Sequence, residues 1–227
     1  MAVGHGPSPW QLEPAQRVGP FALGMGVNEA LAIVQKMGSL DHAEFSFDEQ
    51  CPFDTDMCLR LPSLGLQLCF DAFQQDLRVI AVCLQAADHE ASMLPTLAYG
   101  SRVFAGAMSQ RAPPCLREVY QMFGPTWIGD FRPSGRAAYL LRYPGLTFEF
   151  PLPEDMVDML AARGEHPTEL PGMAAPSATR LWVFAAEAPS FLAPVSAMPE
   201  LPEAVLVRPA VGVELQGKML RFGSMPQ

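Results

Sequence analysis

One pattern occurs twice in this chain and limits its fold more than any other feature. An apolar strand, a turn containing proline or glycine, and an alternating strand opened by Gly-Leu appear in LRLPSLGLQLCF (59–70) and in LLRYPGLTFEF (140–150). Alternation with a period of two predicts strands with one buried face, and the short turn predicts an antiparallel hairpin. Because a helix-like segment precedes each hairpin, the sequence predicts two divergent copies of one helix-plus-meander unit. Chance similarity between two amphipathic segments is the alternative explanation.

The two helix-like segments share an apolar stripe and a glycine at the end. Apolar residues recur at helical spacing through 27–37, before Gly38, and through 116–123, before Gly124. This spacing predicts amphipathic helices, and a glycine just beyond the last turn is a common helix stop. The first helix is expected to begin near Gly26 or Asn28.

The remaining elements follow from shorter patterns. Further strands are predicted at 43–47, 57–61, 77–82, 126–131, 137–143, 179–184 and 203–215. Residues 95–110 are ambiguous and expected to be extended, and 155–163 favour a short helix. The predicted fold class is α+β, with repeated helix-plus-antiparallel-β-meander units whose sheets pack on the helices.

These elements predict a division of the chain into six parts. They are a flexible Pro/Gly-rich leader (1–20), a first unit (21–100), a second, divergent unit (101–152), a linker (153–178), a β-rich segment (179–217) and the start of a third unit (218–227). LRFGSM near the end echoes FALGM ahead of the first helix. We therefore expect a third unit that is cut short.

Composition argues against several classes of function. The chain has 227 residues, 49% of them hydrophobic and 17% charged, which is enough apolar material for a sizeable core. Its formal net charge is −9 and its only lysines are Lys36 and Lys218, so neither nucleic acid nor an anionic membrane is an expected direct partner. The N-terminus lacks the features of a secretory signal, and the longest apolar run, 79–84, is too short to cross a bilayer.

Cysteine and histidine positions predict no metal or cofactor site. Cys51, Cys58, Cys69, Cys83 and Cys115 form no CxxC motif, and a scattered, odd set is typical of thiols in a reducing cytosol. The four histidines also stand apart, at positions 5, 42, 89 and 166. We therefore expect neither a zinc site nor a cofactor.

Gly24-Met25-Gly26 raises the question of a phosphate-binding loop. A dinucleotide fingerprint needs a third glycine, but its position is occupied by Glu29, whose charge would repel a phosphate. A Walker loop would need Gly-Lys-Ser/Thr, which is missing. The sequence predicts a tight strand-to-helix turn instead.

Other candidate site residues also favour ordinary structural roles. Acids at 48, 49, 54 and 56 are typical of a solvated loop, and those at 154, 155 and 158 of an exposed helix start. Ser46, Ser63 and Ser101 lie in no Gly-x-Ser-x-Gly elbow, and His42 and His89 are typical of loop histidines. No catalytic, cofactor-binding or metal-binding residue is therefore predicted, and the sequence does not identify an interaction surface.

Weak signals point to protein contact. Phe70-Asp71-Ala72-Phe73 places two aromatic residues around an acid at a hairpin tip, where they either contact a partner or pack beside a turn-forming Asp; the second reading is favoured. Thirteen methionines and the edges of the predicted meanders also suit a binding protein.

Several stretches resemble the phagosome assembly factor family of eukaryotes. The resemblance rests on FALGMGVNEALAIVQKMG (21–38), FSFDEQCPF (45–53) and GLQLCFDAFQQDLRVIAV (65–82). It continues through 109–124, 143–152, 178–184 and 218–224, whereas the leader, 83–98 and 151–177 depart from the family pattern. Family members are considerably longer, in keeping with the expected truncation.

The resemblance implies a cytoplasmic, non-enzymatic adaptor in autophagy. It would bind a WD-repeat β-propeller protein, and the two would be recruited together to the phagophore assembly site. Membrane association would be indirect, through phosphoinositide recognition involving the propeller. The alternative is a lipid- or small-ligand-binding module in membrane trafficking, with a pocket between helix and sheet; an enzyme is least expected.

Overall fold

The computed structural model describes residues 8–39, 43–50, 55–85, 94–106, 112–127, 129–132, 137–163 and 175–186, and the backbone of 205–208, 212–215 and 218–221. The chain divides into two units, Met1–Val195 and Ser196–Gln227. Described helices and strands confirm the predicted α+β class.

An eight-stranded antiparallel sheet forms the centre of the larger structural unit, Met1–Val195. From one edge to the other its strands are β10 (Asp130–Arg132), β11 (Ala138–Tyr143), β12 (Leu146–Pro151), β13 (Arg180–Phe184), β7 (Leu77–Cys83), β6 (Leu66–Phe70), β5 (Met57–Leu61) and β4 (Glu44–Ser46). Both predicted hairpins are present, β5–β6 around Gly65 and β11–β12 around Gly145, and each of these glycines has a positive φ. Two four-stranded meanders meet where β13 pairs with β7.

Three helices precede or interrupt these strands. They are α1 (Val27–Lys36), α2 (Leu116–Phe123) and α3 (Glu154–Arg163). Helix α1 precedes β4–β7, and α2 precedes β10–β13, with α3 inserted between β12 and β13. Isolated bridges join Gly26 to Asp76 just before β7, and Cys115 to Ser177 just before β13. Duplication of one ancestral unit stays a prediction.

One face of the large sheet forms the core with the helices. Leu59, Leu68, Ile80, Phe148 and Leu181 point to this core face and are fully or almost fully buried. Buried residues from all three helices belong to the same apolar cluster: Ala30, Val34, Leu116, Val119, Val157 and Leu160. Burial of this continuous apolar surface is the main source of the fold's stability.

A second, five-stranded sheet contributes to the same core and corrects the expectation of a flexible leader. Its strands, in order, are β3 (Phe21–Ala22), β2 (Arg17–Val18), β1 (Trp10–Glu13), β8 (Leu97–Tyr99) and β9 (Arg102–Ala105). Within the predicted leader, residues 10–13 and 17–18 are therefore strands joined by a turn, with β1 parallel to β8, while residues 1–7 lie outside the described residues. The physical reason is that Leu12 and Val18 are buried, at 1% and 0% exposure, despite the prolines and glycines around them.

The C-terminal half also differs from the predicted division. Strand β13 was expected to belong with 203–215, but it joins the large sheet because apolar side chains line both of its faces: Leu181, Val183, Trp182 and Phe184. The short helix predicted at 155–163 within the linker is present as α3, whereas the strand predicted at 126–131 is replaced by the shorter β10. In the second unit, β14 (Val205–Arg208), β15 (Gly212–Leu215) and β16 (Lys218–Arg221) form a separate antiparallel sheet.

Candidate functional site

The glycine-rich stretch ahead of α1 is a turn whose backbone donors are occupied. Gly24 has φ +82° and donates its N–H to the carbonyl of Leu77 at 2.7 Å. The Val27 N–H bonds to the carbonyl of Gln75 at 3.2 Å, and the Gly26 N–H bonds to the Glu29 carboxylate at 3.2 Å. Since an internal carboxylate lies at the helix start, the structure agrees with the predicted turn rather than a phosphate cradle.

The hairpin tip after β6 is likewise a structural turn. Phe70 is fully buried, and the Asp71 carboxylate accepts the backbone N–H groups of Phe73 and Gln74 at 2.9 and 2.8 Å. An Asp that bonds the backbone two and three residues ahead fixes an Asx turn. Of the residues Phe70–Phe73, only Phe73 is exposed, with 45% of its surface accessible.

The acidic residues singled out in the sequence do not converge on one site. Asp48 accepts the Gln50 N–H at 2.9 Å, and Asp56 pairs with Arg78 at 3.0 Å. Burial raises the pKa of Asp56 above its usual range, and Arg78 opposes that shift. Glu49 lies just after β4, Asp54 lies outside the described residues, and the remaining acids lie in α3: Glu154, Asp155 and Asp158.

Candidate nucleophiles and metal ligands are also dispersed. Ser46 lies on the edge strand β4 and Ser63 in the β5–β6 turn, while Ser101 follows β8. His42 and His89 lie outside the described residues. Within the described ranges, no group of three or more His, Cys, Asp or Glu side chains is placed to hold a metal ion.

The second face of the large sheet lies opposite the helix-covered core, and we call it the polar face because charged side chains such as Arg60 and Arg180 lie around its small apolar cluster. Arg60 and Arg180 lie beside a shallow depression of about 160 Å³ on this face, with Gln67 between them across the strands. The Arg180 guanidinium carbon lies 5.8 Å from the centre of the Trp182 ring. Sites for drug-sized ligands enclose roughly 300 Å³ or more, so this depression suits contact with a side chain better than enclosure of a ligand.

Among the described residues, the most exposed aromatic side chain lies at one edge of the large sheet. Trp127 is 89% exposed, although its neighbours are held firmly against β11. The Thr126 hydroxyl bonds to the carbonyl of Arg142 at 2.5 Å, and the Gly129 N–H bonds to the hydroxyl of Tyr139 at 2.8 Å. An exposed indole on a segment anchored at Thr126 and Gly129 has the character of an interface residue.

The opposite edge carries a second aromatic pair. Edge strand β4 is exposed at all three of its residues, and Phe45 lies opposite Leu59 on the core face. Phe45 and Phe47 are 47% and 52% exposed, with ring centres 6.4 Å apart. Within the described residues β4 pairs only with β5, so a partner strand can add at this edge.

Sequence reasoning missed these edge residues as candidates. The sequence predicted a strand at 43–47, but the exposure of Phe45 and Phe47 depends on β4 being the last strand of the sheet. Trp127 was assigned to a predicted strand, and its exposure depends on that strand beginning only at Asp130. A tryptophan beside Gly124-Pro125 was the local signal available.

Comparisons with a family model and with known proteins all indicate the same family. The family model described as phagosome assembly factor 1 matches residues 17–221. A PHAF1 protein of Arabidopsis thaliana is 28% identical over 181 residues, which cover 79% of this chain and 42% of the relative. A PHAF1 protein of Caenorhabditis elegans is 30% identical over 132 residues, covering 58% of the chain and 29% of the relative.

A third relative, a PHAF1 protein of Drosophila melanogaster, is 28% identical over 133 residues, covering 58% of the chain and 28% of the relative. The matched regions thus span less than half the length of each of these relatives. No solved structure matches the chain. Among the described residues, no helix combines the length and apolar character that a membrane span requires.

Proposed function

Since the chain belongs to the phagosome assembly factor 1 family, we propose that it is a non-enzymatic adaptor in autophagosome formation. Membership implies a role in phagosome assembly. The proposed partner is a WD-repeat β-propeller protein, with which the chain moves from the cytoplasm to the phagophore assembly site. Membrane association is then indirect, through phosphoinositide recognition involving that partner.

Trp127 is the observation that carries the adaptor proposal. Tryptophan is prominent among residues that dominate binding energy at protein interfaces. A largely exposed indole is unfavourable in water, and here the chain beside it is anchored to β11 by hydrogen bonds of Thr126 and Gly129. The exposed Trp127 indole therefore favours the proposal that a binding partner covers it.

The β4 edge supports a second contact of the same proposal. Phe45 and Phe47 form an apolar patch, and acids lie immediately around it: Glu44, Asp48 and Glu49. An apolar patch with an acidic rim suits an extended, basic segment that adds to the sheet edge. The chain's formal net charge of −9 favours the same choice of partner.

Co-precipitation tests the proposal. Tagged wild-type chain is expressed with the host's WD-repeat propeller homologue, beside Trp127→Ala and the double variant Phe45→Ala/Phe47→Ala. Phe73→Ala is the matched control, because Phe73 is exposed to a similar degree as Phe45 but lies at a hairpin tip. We expect the wild type and the control to capture the propeller and to reach phagophore structures during starvation.

The edge variants are expected to lose both capture of the propeller and recruitment to phagophore structures, because recruitment is proposed to depend on binding to the propeller. Wild-type chain that neither captures the propeller nor reaches phagophore structures would refute the adaptor proposal. Capture that is unchanged in both edge variants would leave the partner in place but reject the sheet edges as its binding surface.

A further inference from the structure

Two cysteines face each other on the polar face of the large sheet. Cys58 on β5 lies directly opposite Cys69 on β6 in the antiparallel register. Their sulfur atoms are 3.3 Å apart, and one thiol donates a hydrogen bond to the other. Directly opposed residues of antiparallel strands have Cα atoms about 4.5–5.5 Å apart, which lies within the span of a disulfide. The backbone is therefore already arranged for a bond between them.

The surroundings distinguish the two thiols. Cys58 is half-buried, whereas Cys69 is only 9% exposed and belongs to an apolar cluster with Val79 and Trp182. The Gln67 amide donates to both sulfur atoms at 3.4 Å. Cys58 is thus the thiol that a small solute reaches first, and Cys69 lies behind it.

The pKa shifts of the two thiols also favour reaction at Cys58 before Cys69. The hydrogen bond from Cys69 lowers the pKa of Cys58 to about 7, with a further contribution from Gln67, while burial opposes the shift. That hydrogen bond and burial raise the pKa of Cys69. Because the thiolate is the nucleophilic form, Cys58 is the more reactive of the two at neutral pH.

We propose that Cys58 and Cys69 form a peroxide-oxidisable pair, in which Cys58 reacts first and Cys69 closes a disulfide across β5 and β6. The Cys58 thiolate attacks one oxygen of hydrogen peroxide, the O–O bond breaks, and the departing hydroxide takes up a proton as water. The product is a sulfenic acid on Cys58. The Cys69 sulfur then attacks that sulfur and displaces hydroxide, which leaves as water with the Cys69 proton.

The overall reaction converts two thiols and one peroxide into one disulfide and two waters. Each cysteine sulfur is oxidised by one electron, and the two peroxide oxygens are reduced. To form the bond the sulfur atoms must approach to about 2.05 Å, which side-chain rotation on fixed strands supplies. Gln67, which lines the depression beside Arg60 and Arg180, contacts both of the sulfur atoms that the disulfide joins.

Peptide mapping of the unmodified chain tests the proposal. The reduced chain is treated with hydrogen peroxide, its remaining thiols are alkylated, and it is cleaved before Asp residues and after Arg residues. Cleavage before Asp56 and Asp71 and after Arg60 separates Cys58 from both Cys51 and Cys69. We expect fragments 56–60 and 61–70 to be joined, with the mass of the pair lower by two hydrogen atoms.

The same molecule supplies its controls. Cys83, whose thiol donates to the carbonyl of Gln85 at 2.9 Å, and Cys115, at the start of α2, are half-buried thiols without an opposed cysteine in the described part of the chain. They should remain alkylatable at peroxide doses that join Cys58 to Cys69. Oxidation of Cys83 or Cys115 first, or a bond from Cys58 to another cysteine, would overturn the proposal.

Single variants test the order of reaction. In Cys69→Ser the sulfenic acid on Cys58 should persist long enough to be trapped by a 1,3-dione, and in Cys58→Ser the buried Cys69 should stay reduced. Trapping at Cys69 instead of Cys58 would contradict the order. Because mapping of the wild type needs no substitution, it decides the proposal even where a variant folds poorly.

Discussion

The carboxylate of Glu118 accepts a hydrogen bond from the backbone N–H of Cys115 across 3.0 Å, at the first turn of α2. Glu29 does the same for Gly26 at the first turn of α1, across 3.2 Å. In both helices the acid is the third helical residue and bonds back to the residue that caps the helix. This bond satisfies a backbone donor that the helix itself leaves without a partner.

Removing the Glu118 carboxylate should therefore weaken α2. We expect Glu118→Ala to lower the free energy of unfolding by about 1 kcal/mol, the usual size of a lost cap interaction. Urea unfolding followed by far-ultraviolet circular dichroism measures the change. Gln121→Ala on the same helix, at an exposed position, is the control and should stay within about 0.5 kcal/mol of the wild type. Equal losses in the two variants would contradict a specific role for Glu118.

Gly145 joins the two sheets through a close approach. It has φ +68°, its carbonyl accepts the Ala15 N–H at 3.2 Å, and a Cβ there would lie 2.6 Å from the Ala15 Cα. Gly145→Ala should destabilise the fold by about 2–4 kcal/mol, through backbone strain and overpacking together. Gly100, with φ +59° and open space around it, isolates the strain alone, so Gly100→Ala should cost about 1–2 kcal/mol. Thermal unfolding that gives equal costs would rule out the close approach.

The stability of the fold at alkaline pH should depend on Tyr139. Burial raises the pKa of this fully buried tyrosine from 10.0 to about 12, with a smaller, opposing effect of its bond to Gly129. Between these values the unfolded chain releases the phenol proton and the native chain keeps it. The free energy of unfolding should therefore be constant with respect to this group below pH 10 and fall as pH rises toward 12. Denaturation measured from pH 10 to 12 should show that the free energy of unfolding falls less steeply in Tyr139→Phe than in the wild type. An unchanged slope would mean that Tyr139 does not cause the fall.

Two tryptophans should separate stability from binding. Trp182 is only 6% exposed in the centre of the polar face, so Trp182→Ala should cost about 3–5 kcal/mol of unfolding free energy. Trp127 is 89% exposed, and Trp127→Ala should change stability by no more than about 0.5 kcal/mol. Chemical denaturation of the two variants measures both effects. A large loss in Trp127→Ala would mean that the indole supports the fold, which would remove the argument for an exposed contact residue.

Sequence patterns predicted the local elements well because local periodicity determines them. Helices α1 and α2 and the hairpins around Gly65 and Gly145 appear close to their predicted limits. The turn at Gly24–Gly26 was also recognisable, because Glu29 occupies the position that a phosphate loop gives to glycine.

Long-range pairing was not predictable in the same way. The pairing of β13 with β7 joins residues about a hundred positions apart, as in Trp182 with Ala81. A pairing over this distance produces no local sequence pattern from which it could be predicted. The strands within 10–18 were hidden because seven of residues 1–20 are proline or glycine, which masks the short apolar signal of the buried Leu12 and Val18. The exposed edges followed only from the strand order, and so did the opposition of Cys58 to Cys69.

Equilibrium binding of the purified chain to the WD-repeat propeller tests the adaptor account most directly. The account predicts saturable binding by the wild type and by Phe73→Ala. It also predicts a loss of about 30-fold or more in affinity for Trp127→Ala, the effect of removing an interface residue worth about 2 kcal/mol. No saturable binding by the wild-type chain, in a preparation that unfolds cooperatively, would contradict the account.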